Sequence, residues 1–348
     1  MFLKKNLIKF LLFLVLFLPC GATFAKETIN IAFTIDKNYP VFTLLAINSI
    51  LKNNHSNSDY HFYIVESNLS KRQMKFMTDY IEKRGQNVSF IDVDTEVLDK
   101  GIDMFNTRQW LGRINSISLA RILLGDLLPK DVEKVLYLDG DILVLRDIKE
   151  LYDTPFDGKV AVMARDNALP YYSFYTFEYP YFNSGVILMD LNVWRKQQIS
   201  KNLLAYLNDN MDLFIPKESS SDYYNYPDQD LINYCLKGKI KEISDMWNYA
   251  HMLGEYHEAI GIVHFLSQYK PWVYFDRVKY PFYELYYKYW DESGLKIYKY
   301  YHKYFIRFNY LFKDFRANYR EYIKLYFINY TANVKYSFQY FSAIMFDN

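Results

Sequence analysis

Short apolar runs alternate with segments of helical spacing from residue 28 to residue 93. Three runs predict strands, at residues 28–36, 60–65 and 88–93, and the segments between them predict helices, at 41–51 and 71–83. Elements that alternate in this way form βαβ units, whose parallel strands are covered by helices on both faces. We therefore predict an α/β protein with a mostly parallel sheet, in which ligands bind beyond the carboxyl ends of the strands.

Two aspartates one residue apart, Asp139 and Asp141, lie between apolar runs in the segment 135–144. The runs predict buried strand, and in an extended chain residues i and i+2 project to the same side. Two anions that converge in a dry setting need a positive partner, and a divalent cation that clamps a phosphate would serve. The alternative is a strand that ends in a polar turn at Asp139 and Gly140. Asp36, which ends the first predicted strand, falls on the same edge of the sheet.

Further candidate site residues follow along the chain. Apolar runs predict strands at 160–164, just before Asp166, and at 181–190, where a polar turn at Asn183 leads into the strand. A helix opens near residue 227 with Asp228 and Asp230 in its first turn, and on local evidence alone these residues are helix caps. His264 is flanked by apolar residues, which favours a buried core histidine over a metal ligand.

Composition excludes several classes of protein. The balance of 41 basic and 40 acidic residues argues against a general nucleic-acid binder, so no nucleic-acid partner is expected. The two cysteines and six histidines show no spacing typical of zinc sites. If a leader that contains Cys20 is removed, Cys235 has no partner for an internal disulfide.

The two ends of the chain differ in character from its middle. Lys4, Lys5 and Lys9 precede an apolar run at 10–18 and small residues up to Ala25, which predicts a signal peptide or membrane anchor over residues 1–25. From about residue 293, basic and aromatic side chains form two stripes on nearly opposite helix faces. This pattern favours a helix on an anionic membrane surface over a terminal helix packed on the core. We expect a membrane-associated protein, with the side of the membrane open.

Six segments, taken in order, resemble motifs of glycosyltransferase family 8, particularly its bacterial lipopolysaccharide glucosyl- and galactosyltransferases. They are residues 33–39, 118–121, 134–141, 181–185, 228–230 and 264–272. The resemblance covers about residues 28–275 and implies a GT-A fold, which is a Rossmann-like, nucleotide-binding α/β domain. The domains expected are the leader at 1–25, the GT-A domain at 26–278 and a helical, aromatic and basic extension at 279–348.

The resemblance also implies roles for individual residues. Mn²⁺, or Mg²⁺, would be bound by Asp139, Asp141 and His264, and carboxylate and imidazole ligands suit Mn²⁺. The donor would be a UDP-hexose, carrying glucose or galactose. Its uracil and ribose, sugar and diphosphate would contact a set of matching positions: Asp36, Asn38, Tyr39, Arg121, Gly140, Asp166, Asn183 and Lys270. Asp228 would bind sugar hydroxyls and Gln229 would lie near the anomeric carbon, as the catalytic pair.

The family transfers sugars with retention of anomeric configuration, here to a glycan or lipid-linked saccharide. A Gln amide is a poor nucleophile, so the Gln229 carbonyl would steady positive charge at the anomeric carbon while the leaving phosphate helps deprotonate the acceptor. One departure is Ser267, which stands where the family usually has Gly and which would crowd a phosphate. The alternative is therefore a catalytically weak or inactive sugar-nucleotide or glycan-binding protein. A self-glucosylating enzyme of the glycogenin type is a third possibility.

Overall fold

A computed structural model describes several stretches of the chain. They are residues 28–93, 116–166, 180–210, 227–250, 256–266, 270–272 and 281–301. The predicted leader at 1–25, Ser267 and the chain after Tyr301 lie outside the described residues.

Nine strands in the described residues form a large sheet and a small ribbon. Their bounds are β1 Thr28–Asp36, β2 Asp59–Ser67, β3 Asn87–Asp92, β4 Lys134–Leu138, β5 Ile142–Val144, β6 Ala161–Arg165, β7 Phe182–Asp190, β8 Ile240–Ile243 and β9 Ile262–His264. The large sheet has the order β3-β2-β1-β4-β7-β6-β8, and β5 pairs with β9. Only the β4–β7 and β6–β7 pairs of the large sheet are antiparallel. The prediction of a mostly parallel α/β sheet is confirmed.

Helices connect these strands. Their bounds are α1 Pro40–Lys52, α2 Lys71–Glu82, α3 Leu124–Leu127, α4 Lys149–Tyr152, α5 Leu191–Lys196, α6 Ile199–Asp209, α7 Pro227–Cys235, α8 Pro281–Glu292 and α9 Lys296–Tyr301, with 3₁₀ helices at Ser116–Leu123 and Asp245–Asn248. Local interactions explain where two of these helices begin. Proline lies in the first turn of α1, where its missing N–H is no loss, and Ser70 and Gln73 form a reciprocal capping box at α2.

The sheet separates two layers of core. Alternate residues of β1 point to opposite faces, so Ile31 and Phe33 join the layer beneath α1, α2 and α8, whereas Ala32 joins the layer beneath the first 3₁₀ helix and α5–α7. All three side chains are fully buried. The stacked layers leave the carboxyl ends of β1 and β4 as the edge from which functional side chains project.

The segment 135–144 differs from the single extended run that its apolar residues suggest. β4 ends at Leu138, a turn follows at Asp139 and Gly140, and β5 starts at Ile142 in the ribbon with β9. Both interpretations of the sequence are thus partly right: there is a polar turn, and the two carboxylates still converge. The turn packs closely against α1, because a Cβ on Gly140 would lie 3.0 Å from Thr43 Oγ1.

Asn183 also differs from expectation, because it lies inside β7 rather than in a turn that precedes a strand. Its side chain faces buried polar groups instead of solvent. The polar residues near the start of β7, which include Asn183, therefore lie in the part of the strand that borders the candidate functional site.

The helix α8 begins just after the expected domain boundary at residue 278. It packs an aromatic face into the first core layer through Phe282, Tyr283, Tyr286, Tyr289 and Trp290. In α9, the ammonium of Lys299 lies 2.8 Å from an Asp291 carboxylate oxygen. Among the described residues, no helix has both the length and the apolar character that crossing a membrane requires.

Candidate functional site

Asp139, Asp141 and His264 form a cluster of possible metal ligands where β4, β5 and β9 meet. One ligand atom from each residue lies within 4.8 Å of the others. His264 Nε2 is 3.3 Å from Asp141 Oδ1 and 3.6 Å from Asp139 Oδ2. Two carboxylates and an imidazole nitrogen that face one point match the ligand preferences of Mn²⁺, and the carboxylates alone suit Mg²⁺. The residues therefore fit the divalent cation that the resemblance implies.

Gly185 provides the space in which the cluster forms. A Cβ at this position would lie 2.1 Å from His264 Cε1 and 2.9 Å from Asp139 Oδ2. Both distances are shorter than any tolerable contact, so a larger residue would push the imidazole and the carboxylate apart. The backbone of Gly185 also ties the site together, since its carbonyl oxygen accepts the Asp139 N–H at 2.8 Å.

The two oxygens of Asp139 have different surroundings. Oδ1 accepts a hydrogen bond from the Tyr137 hydroxyl at 2.5 Å and lies 3.1 Å from Arg121 Nη2, whereas Oδ2 faces His264. Burial raises the pKa of Tyr137, so its hydroxyl stays protonated and donates. These contacts fix the carboxylate with Oδ2 directed at the cluster.

Arg121 connects the cluster to a second acidic residue. Its Nε lies 3.1 Å from Asp228 Oδ2, and its Nη1 donates to the Ser184 carbonyl oxygen at 2.8 Å. Burial alone would lower the pKa of Arg121, but Asp139 and Asp228 outweigh burial and the pKa is raised. The guanidinium is therefore a permanent buried cation shared by two carboxylates.

Lys270 supplies a second cation at the cluster. Its ammonium group contacts Asp141 Oδ2 and the Phe265 carbonyl oxygen. Burial tends to raise the pKa of Asp141, but Lys270 and His264 overcome this tendency and lower it. Asp141 is therefore ionised, and Lys270 lies where it can also contact an anionic group bound at the cluster.

A network of amides adjoins the cluster on its other side. Asp166 Oδ2 accepts hydrogen bonds from Asn183 Nδ2 at 3.1 Å and from Gln229 Nε2 at 2.9 Å. Gln229 Oε1 in turn accepts the Ser184 N–H at 2.9 Å. The Ser184 hydroxyl donates to Asp228 Oδ2 at 3.2 Å. Such a set of donors and acceptors is suited to the hydroxyl groups of a sugar.

The helix-cap interpretation of Asp228 and Asp230 does not describe their main contacts. Asp228 pairs with Arg121, and Asp230 accepts the Tyr181 hydroxyl at 2.5 Å. Both carboxylates are buried, and both face partners that are distant in sequence. The local pattern could not reveal this, since those partners come from other elements.

The end of β1 lies beside the turn that carries the two aspartates. Asp36 accepts from the Asn38 backbone N–H at 2.8 Å and from Asn38 Nδ2 at 2.9 Å, which shapes a tight exposed loop. A Cβ on Gly140 would lie 3.1 Å from the Tyr39 ring. The ring centroids of Tyr39 and Trp272 are 6.3 Å apart in an edge-to-face arrangement. The structure thus brings all the predicted site residues to one edge of the sheet.

Sequence reasoning missed three residues that hold the site together: Tyr137, Ser184 and Asn248. Tyr137 carried a usable signal, because it lies two positions before Asp139 and the extended run predicted over 135–144 would direct both side chains to the same side. Ser184 carried a weaker sequence signal, because it adjoins Asn183, which was predicted as a site residue. Asn248 carried none, since it contacts His264 Nδ1 across 16 positions of sequence, at 2.9 Å.

Comparisons with known proteins agree with this geometry. The model of glycosyl transferase family 8 matches residues 30–276, which include every site residue described above. General stress protein A of Bacillus subtilis (strain 168) is 25% identical over 293 residues, which cover 77% of this chain and 96% of that protein. Lipopolysaccharide 1,2-glucosyltransferase of Escherichia coli is 27% identical over 267 residues, which cover 71% and 74% of the two chains.

A solved structure shares the architecture. The galactosyltransferase LgtC, in complex with donor and acceptor sugar analogs, superposes with a TM-score of 0.62 at 22% identity. The match covers 76% of this chain and 95% of that chain. The likeness concerns the fold, and it confirms the GT-A architecture.

Proposed function

This chain belongs to glycosyltransferase family 8, and on that premise we propose that it transfers a hexose, glucose or galactose, from a UDP-sugar to a hydroxyl of a glycan. The proposal includes a divalent cation, Mn²⁺ or Mg²⁺, and retention of the anomeric configuration. The observation that carries it is the cluster of Asp139, Asp141 and His264 at the carboxyl edge of the sheet. A cation bound there would offset the negative charge that grows on the departing diphosphate.

The residues around the cluster have complementary tasks in this proposal. Lys270 binds the diphosphate as a second cation, beside Asp141. The loop formed by Asp36 and Asn38, together with the Tyr39 ring, binds the nucleoside on the neighbouring side. Arg121 holds Asp139 and Asp228 in fixed positions, which joins the diphosphate side to the sugar side.

The sugar side is formed by the buried amides and carboxylates. Asp166, Asn183 and Asp228 bind the sugar hydroxyls. The Gln229 oxygen accepts the Ser184 N–H at 2.9 Å and lies 3.5 Å from the Ser184 hydroxyl, and in this proposal it is the atom that faces the anomeric carbon. In this mechanism the acceptor hydroxyl attacks from the face that the phosphate leaves, and the departing phosphate takes its proton. Trapping of a glycosyl–enzyme adduct would contradict this route.

We further propose that the acceptor is lipopolysaccharide or another lipid-linked saccharide. One relative is named for a lipopolysaccharide 1,2-glucosyltransferase activity. The basic and aromatic pattern after residue 293 is compatible with a membrane surface. In α9, Ile297 and Tyr300 are 75% and 50% exposed, which supports the same assignment.

The direct experiment is to measure UDP-glucose, UDP-galactose and UDP-N-acetylhexosamine hydrolysis with Mn²⁺ and with a chelator. We expect Mn²⁺-dependent turnover of one of the two hexose donors, and a loss of at least about 100-fold in Asp141→Asn, because one ligand and its charge are removed. Asp79→Asn, an exposed change in α2 that removes the same charge, is the matched control and keeps full activity. Equal turnover with chelator would contradict the proposal.

The second candidate is a sugar-nucleotide or glycan-binding protein with weak activity or none, and Ser267 is the feature that favours it. Without a Cβ at this position, the backbone can approach a phosphate more closely. If Ser267 is the cause of weak activity, Ser267→Gly tightens UDP binding and raises turnover. Tight UDP-sugar binding without turnover in both proteins would establish the binding protein instead.

A further inference from the structure

We infer that Asn248 is a positioning residue that fixes the tautomer of His264, so that the ring presents a bare Nε2 to the cation. Asn248 ends the second 3₁₀ helix, and its Oδ1 lies 2.9 Å from His264 Nδ1. The part of this inference that concerns the cation rests on the proposed function. The part that concerns the tautomer does not.

The donor and the acceptor in each hydrogen bond of this network are set by neighbouring groups that can only donate or only accept. The backbone N–H of Gly185 donates to one atom of the Asn183 side chain at 2.9 Å, so that atom is the oxygen. The other atom of this amide donates to the carboxylate of Asp166, so it is the nitrogen. Both ends of the Asn183 side chain are therefore assigned independently by partners of fixed type.

The orientation of Asn248 follows from that of Asn183. The Asn183 oxygen receives a second bond, at 2.8 Å, from the Asn248 side chain, which must therefore use its nitrogen. The Asn248 oxygen is then the atom that faces His264 Nδ1. An acceptor at this position requires a proton on Nδ1, and in the neutral ring Nε2 then carries a lone pair. Nε2 faces Asp139 and Asp141, so a cation bound between the three residues would receive this lone pair.

The surroundings keep this arrangement in place. His264 and Asn248 are each 3% exposed, so water has little access to replace the amide. The backbone secures the pair, because the His264 N–H donates to the Tyr249 carbonyl oxygen at 2.9 Å and the Tyr249 N–H donates to Ile262 at 2.8 Å. A partner that orients a metal-binding histidine through its other ring nitrogen is a recurrent feature of metal sites.

The first test measures the tautomer without any metal. In chelator-treated protein, the ring ¹⁵N shifts of His264 are recorded and assigned with a His264→Gln variant. We expect a proton on Nδ1. In Asn248→Leu, which removes the acceptor at similar volume, the Nδ1–H form loses its dominance. A ring without a proton on Nδ1 in the wild type would overturn the inference.

The second test measures Mn²⁺ affinity from the free-ion signal in electron paramagnetic resonance. Asn248→Leu should bind Mn²⁺ about 10- to 100-fold more weakly, as is typical when the partner of a metal-bound histidine is lost. Asn248→Asp keeps an acceptor for Nδ1–H but loses the donor to the Asn183 oxygen, so it should keep the proton on Nδ1 and bind Mn²⁺ more tightly than Asn248→Leu does. Asn30→Leu, at the opposite edge of the sheet, is the control and should change neither property.

The variants separate the possible outcomes. A role limited to packing would weaken Mn²⁺ binding equally in Asn248→Leu and Asn248→Asp, with His264 unchanged, and that result overturns the inference. If wild-type protein binds no Mn²⁺, the proposed cation is wrong, while the tautomer measurement still decides the role of Asn248.

Discussion

At the scale of single residues, the site depends on space and on charge compensation more than on the ligands alone. Gly185 leaves room for His264, and Arg121 balances the buried carboxylate of Asp228 and the half-buried carboxylate of Asp139. Neither residue is required to touch a cation, yet the cluster cannot form in its present geometry without them. Two substitutions, each with a matched control, separate these contributions.

Gly185→Ala should abolish tight Mn²⁺ binding, because its Cβ would occupy the space of His264 Cε1. We expect at least a tenfold loss of affinity and a cost in unfolding free energy of about 1–3 kcal/mol, as for other overpacked sites. Gly238→Ala is the control: its φ of +72° makes alanine strained, but nothing lies within 4 Å of the added Cβ. It should lose stability and keep Mn²⁺ affinity, and a loss of affinity there would mean that any destabilisation suffices.

Arg121→Met should destabilise the fold by about 3–5 kcal/mol, since it leaves the buried Asp228 and the half-buried Asp139 without their shared cation. Arg165→Met removes an exposed ion pair with Glu242, in which both side chains are more than 40% exposed, and should cost no more than about 1 kcal/mol. Urea unfolding of the two variants measures the difference. Equal costs would show that the buried pairs contribute no more than a surface pair.

At the scale of elements, the sequence predicted most of what local periodicity controls. The strands and helices between residues 28 and 93 were located to within about two residues, because their apolar spacing is a local property. The break between β4 and β5 was left open, since fully buried strands show no alternation that marks where one ends. His264 likewise had no local sequence signal as a metal ligand. Asp139 and Asp141 come close to it only because β5 pairs with β9, where Ile142 lies opposite His264.

The helix α8 should be required for stability, although it lies beyond the expected boundary at 278. Trp290 is fully buried in the first core layer. Its ring packs edge-to-face on Phe42, with the ring centroids 6.1 Å apart. Trp290→Ala should lower the unfolding free energy by about 3–5 kcal/mol. Ile297→Ala, at an exposed position in α9, should change it by no more than about 0.5 kcal/mol. Thermal or urea unfolding measures both, and a small effect of Trp290→Ala would place α8 outside the stable core.

At the scale of the whole molecule, one edge of the sheet collects residues from along most of the chain. The family resemblance identified most of them from short ordered motifs, and the structure shows how they meet. The network through Ser184 and Asn248 was not predictable, because it consists of contacts between elements that the sequence keeps apart. The leader and the basic, aromatic tail remain predictions about how the molecule meets a membrane.

The full chain should bind anionic lipid vesicles through its C-terminal region in a salt-dependent way. Replacing Lys296, Lys303 and Arg307 with Glu should reduce sedimentation with the vesicles at low salt, because it reverses the attraction to the lipid surface. Lys299 is kept, since it pairs with Asp291. Binding that resists high salt and these substitutions would point to the N-terminal segment as the anchor.

A calorimetric titration of UDP into the protein, with Mn²⁺ and with a chelator, tests the proposed cation site directly. UDP should bind tightly only with Mn²⁺, and His264→Ala should weaken this binding by at least about tenfold, because the cation loses one of its three proposed ligands. Equal UDP affinity with Mn²⁺ and with chelator, in both proteins, would show that Asp139, Asp141 and His264 hold no cation that binds the diphosphate.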